Sequence, residues 1–328
     1  MANLKGRALS PKDLKLYDDN LTVVTPIYRR YKLIPMTANT PSSTSSKDNS
    51  AQDSSDKSSA LVLVAGATGG VGQLTVANLV AAGYRVRILT RDAAKATPMF
   101  AGKVDIAVGD IRQTDTLPAA TADVTHIICA TGTTALPSAR WDFKVDLGSN
   151  PAEQIINWGK IYLDKDFRDR NARNTPEAVD AQGVSNLVQA APKDLQRFVF
   201  VSSCGVSRKD QFPYTILNAY GVLDAKGKGE TAILRSGLPY TIIRPGQLTD
   251  GPYTSRDFNT LIQASTDSKL GVVVETGESI NGQSSRIDIA AACAECLSIA
   301  ASENKAFEIV SKGERPTVID WTKLFTAA

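Results

Sequence analysis

The sequence predicts an α/β fold: a doubly wound parallel sheet with helices on both faces, a small C-terminal lobe and a disordered N-terminal extension. Three observations predict it. From residue 61 onward, apolar strand-like runs alternate with helical stretches, the pattern of a parallel sheet covered on both sides. The first strand and first helix are joined by a glycine-rich turn. Composition changes abruptly near residue 60, which separates the folded body from what precedes it.

The leading segment, residues 1–36, is a basic arm: seven Lys and Arg stand against three Asp, giving +4. Within it "LTVVTPIYRRYKLIP" (Leu21 to Pro35) mixes β-branched, aromatic and basic residues. Two readings stay open, a disordered leader or a docking arm that orders on a protein complex or at an anionic membrane surface. A cleaved transit peptide is a third, which Asp13, Asp18 and Asp19 count against. Residues 37–60, "TANTPSSTSSKDNSAQDSSDKSSA", contain no aromatic residue and no Leu, Ile or Val. Such a Ser-rich segment cannot bury enough apolar surface to offset its ordering entropy and reads as a flexible linker.

The remaining body, residues 61–328, is electrically neutral although the whole chain carries +3. A neutral body argues against a nucleic-acid-binding face. No apolar run reaches the ~18 residues that span a bilayer, so no transmembrane segment is expected. Four scattered cysteines suit a reducing compartment rather than a disulfide scaffold.

Strands are expected at Leu61–Ala65, Arg85–Leu89, Val104–Val108, His126–Ala130, Arg197–Val201 and Tyr240–Ile243, and the clearest helices at Gly72–Ala82 and Thr175–Ala191. After the first strand the chain reads Gly66-Ala67-Thr68-Gly69-Gly70-Val71-Gly72. Gly66 permits the sharp exit from the strand. Gly69 and Gly70 let a diphosphate meet bare backbone, and Gly72 lets the helix pack closely. The helix start adds free N–H groups and a positive dipole end. Thr68 and Val71 complete this cofactor-binding turn, which is the dinucleotide site of a Rossmann fold.

The second strand ends Thr90-Arg91-Asp92. An acid at the strand end would accept from the 2′-hydroxyl of NAD, whereas Arg91 suits the 2′-phosphate of NADP, so NADP(H) is favoured over NAD. After the third strand, Asp110 is a candidate to accept from the adenine amino group and Ile111 to pack on the ring. After the fourth, Ala130, Thr131 and Gly132 in "CATGT" leave room for the ribose nearer the nicotinamide.

These motifs occur in order with "TPEAVDAQGVSNLVQAA" (Thr175 to Ala191), "FVFVSSCGV" (Phe198 to Val206) and "SGLPYTIIRPGQLTDGP" (Ser236 to Pro252). Together they resemble the atypical short-chain dehydrogenase/reductase superfamily in its NmrA-like branch, with a look of NAD(P)-binding proteins from plastids and cyanobacteria. The resemblance covers residues 61 to about 326. It implies a single doubly wound domain, an NADP(H) cofactor, and a location in the cytoplasm or the plastid stroma, with peripheral association at a thylakoid surface as a variant. The branch includes reductases, cofactor-sensing regulators and photosystem assembly factors, so it leaves the reaction open.

Active relatives carry a Tyr four residues before a Lys on one helix, where the ammonium assists proton exchange by the phenol. Here the Lys is Lys226, and four residues before it stands Val222. Tyr220 lies six residues before, about 240° away on a helix after one full turn. It reaches the Lys226 face only if the chain is irregular there, which Gly221 would permit. Lys226, Tyr220 and Ser203 are therefore the weak catalytic candidates, Lys226 doubling as a ligand of the nicotinamide ribose. Pro245, at the end of the sixth strand, is expected near the nicotinamide amide.

The other reactive side chains read as structural. His126, the only histidine, sits inside an apolar strand. Cys293 and Cys296 have C-x-x-C spacing but lie in an alanine-rich helical run, and no metal site is expected. Cys204 reads as a small apolar residue that could also face the pocket. The stretch from Asp146 to Asn174 is longer than the family pattern. It is either a solvated excursion or a lid or partner-contact surface. Two functions remain: an NADPH-dependent oxidoreductase acting on a small or conjugated substrate, or a non-catalytic or weakly catalytic assembly or regulatory factor that docks through residues 1–36.

Overall fold

The computed structural model describes residues 57–100, 102–138, 141–145, 147–148, 150–249 and 269–328. The basic arm and most of the linker lie outside the described residues. The folded body opens with strand β1 (Leu61–Ala65), helix α1 (Gly70–Ala81), β2 (Arg85–Thr90), α2 (Ala93–Phe100), β3 (Asp105–Val108) and β4 (His126–Cys129). Helices α3 (Pro151–Leu163) and α4 (Lys165–Asn171) follow, then a π-helical segment (Glu177–Gly183) that runs into α5 (Val184–Ala190). Next come β5 (Arg197–Val201), α6 (Val222–Ser236), β6 (Tyr240–Pro245), β7 (Gln247–Thr249), β8 (Leu270–Glu275), β9 (Gln283–Ser285), α7 (Arg286–Glu295) and β10 (Lys305–Glu314).

The main sheet has the order β3-β2-β1-β4-β5-β6-β10-β8. All its pairs are parallel except β10 with β8, which is antiparallel. β7 and β9 form a separate parallel pair beside it. Chain order reverses between β1 and β4, and the crevice outside the carboxyl ends of those strands is where such sheets bind ligands. The central strands are buried on both faces, which explains the unbroken apolar run of β1. Val62 and Val64 face a core shared with Val76 and Leu79 of α1 and Ile289 and Cys293 of α7. Leu61, Leu63 and Ala65 face the opposite core, with Leu187 of α5 and Ile233 of α6.

The six expected strands are present with ends shifted by a residue or two, and α1 begins two residues before the expected start. The expected helix over Thr175–Ala191 is a correction in kind, since its first half is π-helical. The excursion is a folded helical unit. Asn150 caps α3 by accepting from Glu153 N at 2.9 Å, and Asp164 caps α4 by accepting from Phe167 N at 2.9 Å. Edge-to-face contacts run from Phe143 to Trp158 and from Tyr162 to Tyr220, with Trp158 against Tyr162 between them. The outer side of α3 leaves Ile155 74% and Leu163 89% exposed. Among the described residues, no helix is long and apolar enough to cross a membrane.

Candidate functional site

The glycine turn is built for close approach. Gly66 has φ +84°, and a Cβ there would lie 2.6 Å from the carbonyl carbon and oxygen of Ala130. The turn therefore abuts the end of β4, bringing Gly66 next to Ala130 and Thr131. A Cβ on Gly72 would collide with the carbonyl oxygen of Gly66. Gly69 N–H donates to Gly66 O at 2.9 Å and closes the turn. No side chain caps α1 and no acid occupies its first turn. Helix geometry leaves the amides of Gly70, Val71 and Gly72 without intrahelical acceptors. This uncapped positive end, with Gly69 exposed beside it, fits a dinucleotide diphosphate. Thr68 is half-buried beside the turn, its carbonyl accepting from Gln73 Nε2, while the Val71 side chain belongs to the core.

Arg91, expected at the adenosine end, is exposed at the close of β2. Asp110 is engaged by Arg112, whose Nε lies 3.0 Å from both carboxylate oxygens. Burial works against its ionisation, but the side-chain and backbone hydrogen bonds from Arg112 prevail and hold its carboxyl below the usual range. The Ile111 side chain packs inward, against Gly183. Asp110 and Ile111 are thus tied to protein partners rather than standing open toward an adenine.

Lys226, expected at the nicotinamide end, is only 6% exposed. Its ammonium donates to Val201 O at 2.8 Å and Thr131 O at 3.2 Å and lies over the Phe200 ring. It also ion-pairs with Asp180 Oδ1 at 2.8 Å, an approach off the hydrogen-bonding direction of that oxygen. Asp180, 0% exposed, sits in the π-helical segment and accepts at Oδ2 from Thr133 N at 3.1 Å and Thr133 Oγ1 at 2.6 Å. π turns are frequent at functional sites. Gly132 is exposed, and a Cβ on it would stand 3.4 Å from Lys226 Nζ, so this glycine is the open side of the pair.

Sequence reasoning missed Asp180. The available signal was an acid in register with Val184 and Leu187, four and seven residues on, which places it on a core stripe.

The other catalytic candidates are committed elsewhere. Gly221, at φ +77°, starts α6, so Tyr220 lies outside the helix. Its ring packs against Trp141, Tyr162 and the Arg168 guanidinium. Ser203 Oγ donates to Cys204 O at 3.1 Å. Ser202 Oγ donates to Glu230 Oε1 at 2.5 Å, and Arg244 grips the same carboxylate at 2.9 and 2.6 Å. Pro245 O accepts from Cys204 N at 2.8 Å, drawing the ends of β5 and β6 together.

Burial, then the nearby Glu308 carboxylate, pushes the Cys204 thiol up to about 12. Cys293 and Cys296 are fully buried in the core, where desolvation raises both thiols. His126 is held neutral by burial and by the Arg197 charge, its pKa falling to about 4. No metal-ligating cluster exists among the described residues.

Backbone cradle, sheet order and switch point together define a dinucleotide-binding protein. A family model described as NAD(P)H-binding matches residues 66–299. The chain belongs to this family. It is 32% identical to Protein TIC 62, chloroplastic, of Oryza sativa subsp. japonica over 239 residues, 72% of this chain and 43% of that protein. The chain thus spans less than half the length of that relative. It is 31% identical to sanguinarine reductase of Eschscholzia californica over 266 residues, 77% of this chain and 89% of that protein. It is 24% identical to the photosystem II assembly factor Ycf39 of Trieres chinensis over 247 residues, 75% of this chain and 62% of that protein.

Proposed function

We propose that the protein binds NADP(H) as a non-catalytic or weakly catalytic assembly or regulatory factor of the plastid type, docking to a larger complex through residues 1–36. The observation that carries this reading is the state of Lys226. Its ammonium is occupied by Asp180 and two backbone carbonyls, and Val222 stands four residues before it, where active relatives carry Tyr. A bound dinucleotide would rest its diphosphate on the Gly66–Gly72 turn, with its nicotinamide ribose beside Gly132 and Lys226 and its amide near Pro245. Bound there, it would supply a hydride, and among the described residues the side chains around Lys226 are engaged with one another rather than placed to give a proton. Arg91 favours NADP over NAD. The relatives named for a chloroplast location and for photosystem II assembly support the cellular setting.

A second reading has its own support. The reductase relative is matched over nearly its full length. Hydride transfer needs no side-chain acid when the acceptor takes its proton from water, so a flavin or a conjugated pyrrole could serve as substrate.

The test is NADPH binding by calorimetry on the full chain, followed by NADPH oxidation against carbonyls, quinones and flavins. Binding without turnover, and recovery of a defined complex on residues 1–60 as bait, are the expected results. Robust turnover abolished by Lys226→Ala would replace the first reading with the second.

A further inference from the structure

The adenosine edge of the crevice holds an arrangement that the family turn does not account for. Arg91 Nη1 donates to the side-chain oxygen of Asn174 at 3.4 Å, across 83 positions of sequence. Asn174 is 8% exposed and closes the excursion that carries α3 and α4. It is anchored there, its own N–H donating to Trp141 O at 2.8 Å. Asn174 is a neutral acceptor. It can orient a guanidinium without cancelling its charge.

Asp110 is an acid close enough to act on the Arg91 charge, and it is already taken. Arg112 holds both its oxygens through Nε and adds Nη2 at 2.5 Å, while Arg112 Nη1 donates to Arg173 O at 2.9 Å. The clamp is thereby fixed to the same end of the excursion. Among the described residues no carboxylate ion-pairs with Arg91. What remains at the end of β2 is an oriented guanidinium that feels the Asp110 charge at a distance but makes no ion pair with it.

We propose that Asn174 is a specificity-determining residue for the dinucleotide: it holds Arg91 for a 2′-phosphate without neutralising it, while the Arg112–Asp110 clamp keeps the Asp110 carboxylate from pairing with Arg91. The excursion thus contributes to recognition of the adenosine end. This inference rests on the NADP reading and deepens it.

The experiment uses the full chain with two adenosine probes, 2′,5′-ADP and 5′-AMP, which differ only in the phosphate at issue. Affinities are read by calorimetry and folding by thermal melts. Wild type is expected to bind 2′,5′-ADP at least roughly ten-fold more tightly, the worth of one charge-assisted contact. Asn174→Ala should lower that ratio about three- to ten-fold and leave 5′-AMP affinity unchanged. Asn174→Asp should bring the ratio close to one, because a carboxylate then meets Arg91 directly. Arg112→Gln, an independent change on the other side, should also lower the ratio by freeing Asp110 to pair with Arg91.

A wild-type preference that survives both Asn174→Asp and Arg112→Gln overturns the inference and leaves the NADP reading standing. Equal loss of both probes in a folded Asn174→Ala variant also overturns it, since that marks a general structural role. A wild-type ratio near one removes the NADP reading, and the inference with it.

Discussion

Removing both members of the Asp180–Lys226 pair is expected to destabilise the protein no more than removing either one. The charged atoms are 2.8 Å apart and both residues are buried. Two unit charges at that separation attract by about 6 kcal/mol at an effective dielectric of about 20, and desolvation offsets much of this. Asp180→Asn keeps the shape but leaves the ammonium held by Thr131 O and Val201 O alone. Lys226→Met leaves the carboxylate with only the Thr133 donors.

Deleting one partner of a buried pair costs about 3–5 kcal/mol, because the other charge stays buried and uncompensated. For a body of this size that lowers the melting temperature by roughly 6–20 °C. The double variant removes both charges and should lose no more than either single variant, giving a coupling energy of at least ~2 kcal/mol. Urea unfolding of the full chain and the four-member cycle measures it, with constant m-values as the check on cooperativity. Single costs below ~1 kcal/mol that simply add would refute the reasoning. The pair would then be solvated, and the floor of the crevice at Gly132 would be organised by something else.

Four further outcomes follow from the same geometry. Gly66→Ala adds a Cβ 2.6 Å from the Ala130 carbonyl at φ +84°, a backbone region that alone costs about 1–2 kcal/mol for an L-residue, and calorimetry should find dinucleotide binding lost. Tyr220→Phe should leave NADPH affinity and any turnover unchanged, because the ring serves the aromatic seam with Tyr162; a loss of turnover alone would restore Tyr220 as a catalytic residue. His126 has its folded pKa lowered from 6.5 to about 4, so the unfolded chain binds the extra proton between those values. Stability is then fully present above pH 6.5 and falls by roughly 3 kcal/mol as pH drops toward 4, a slope that His126→Gln should flatten in urea midpoints. All four thiols are buried and shifted upward, so a thiol-titrating reagent should react slowly with native protein and fully only after denaturation.

The first half of the fold was legible because each of its signals is local. A run such as "LVLVA" followed within one residue by Gly66 names strand and turn together, and the glycine spacing needs no distant partner to be meaningful. β10 was hidden because its inward position 308 is a glutamate, neutralised by Arg208 at 2.7 Å from a loop one hundred residues earlier. Lys305, Lys312 and Glu314 break its apolar alternation further. α3 was hidden for the opposite reason. Ile155, Ile156 and Leu163 look like core in sequence but stand exposed, while the aromatic side of the helix meets Tyr220 from elsewhere in the chain. Asp180, Arg112 and Asn174 share that difficulty, since each acquires its role from a partner that only tertiary structure supplies.

The two kinds of functional group in this family therefore separate cleanly in this chain. In the proposed reading, binding of the dinucleotide falls to backbone: the amides opening α1, the bare edge at Gly69 and Gly70, and the glycine that exposes Lys226. Acid–base chemistry would fall to side chains, and those are bound to one another. Ser202 is held by Glu230, Lys226 by Asp180, and Tyr220 by its aromatic neighbours. Freeing Ser202 or Lys226 for a substrate means breaking a buried contact worth more than a surface interaction returns. A ligand that asks only for the cradle meets no such cost, which supports the proposed reading of a protein that holds its cofactor rather than uses it.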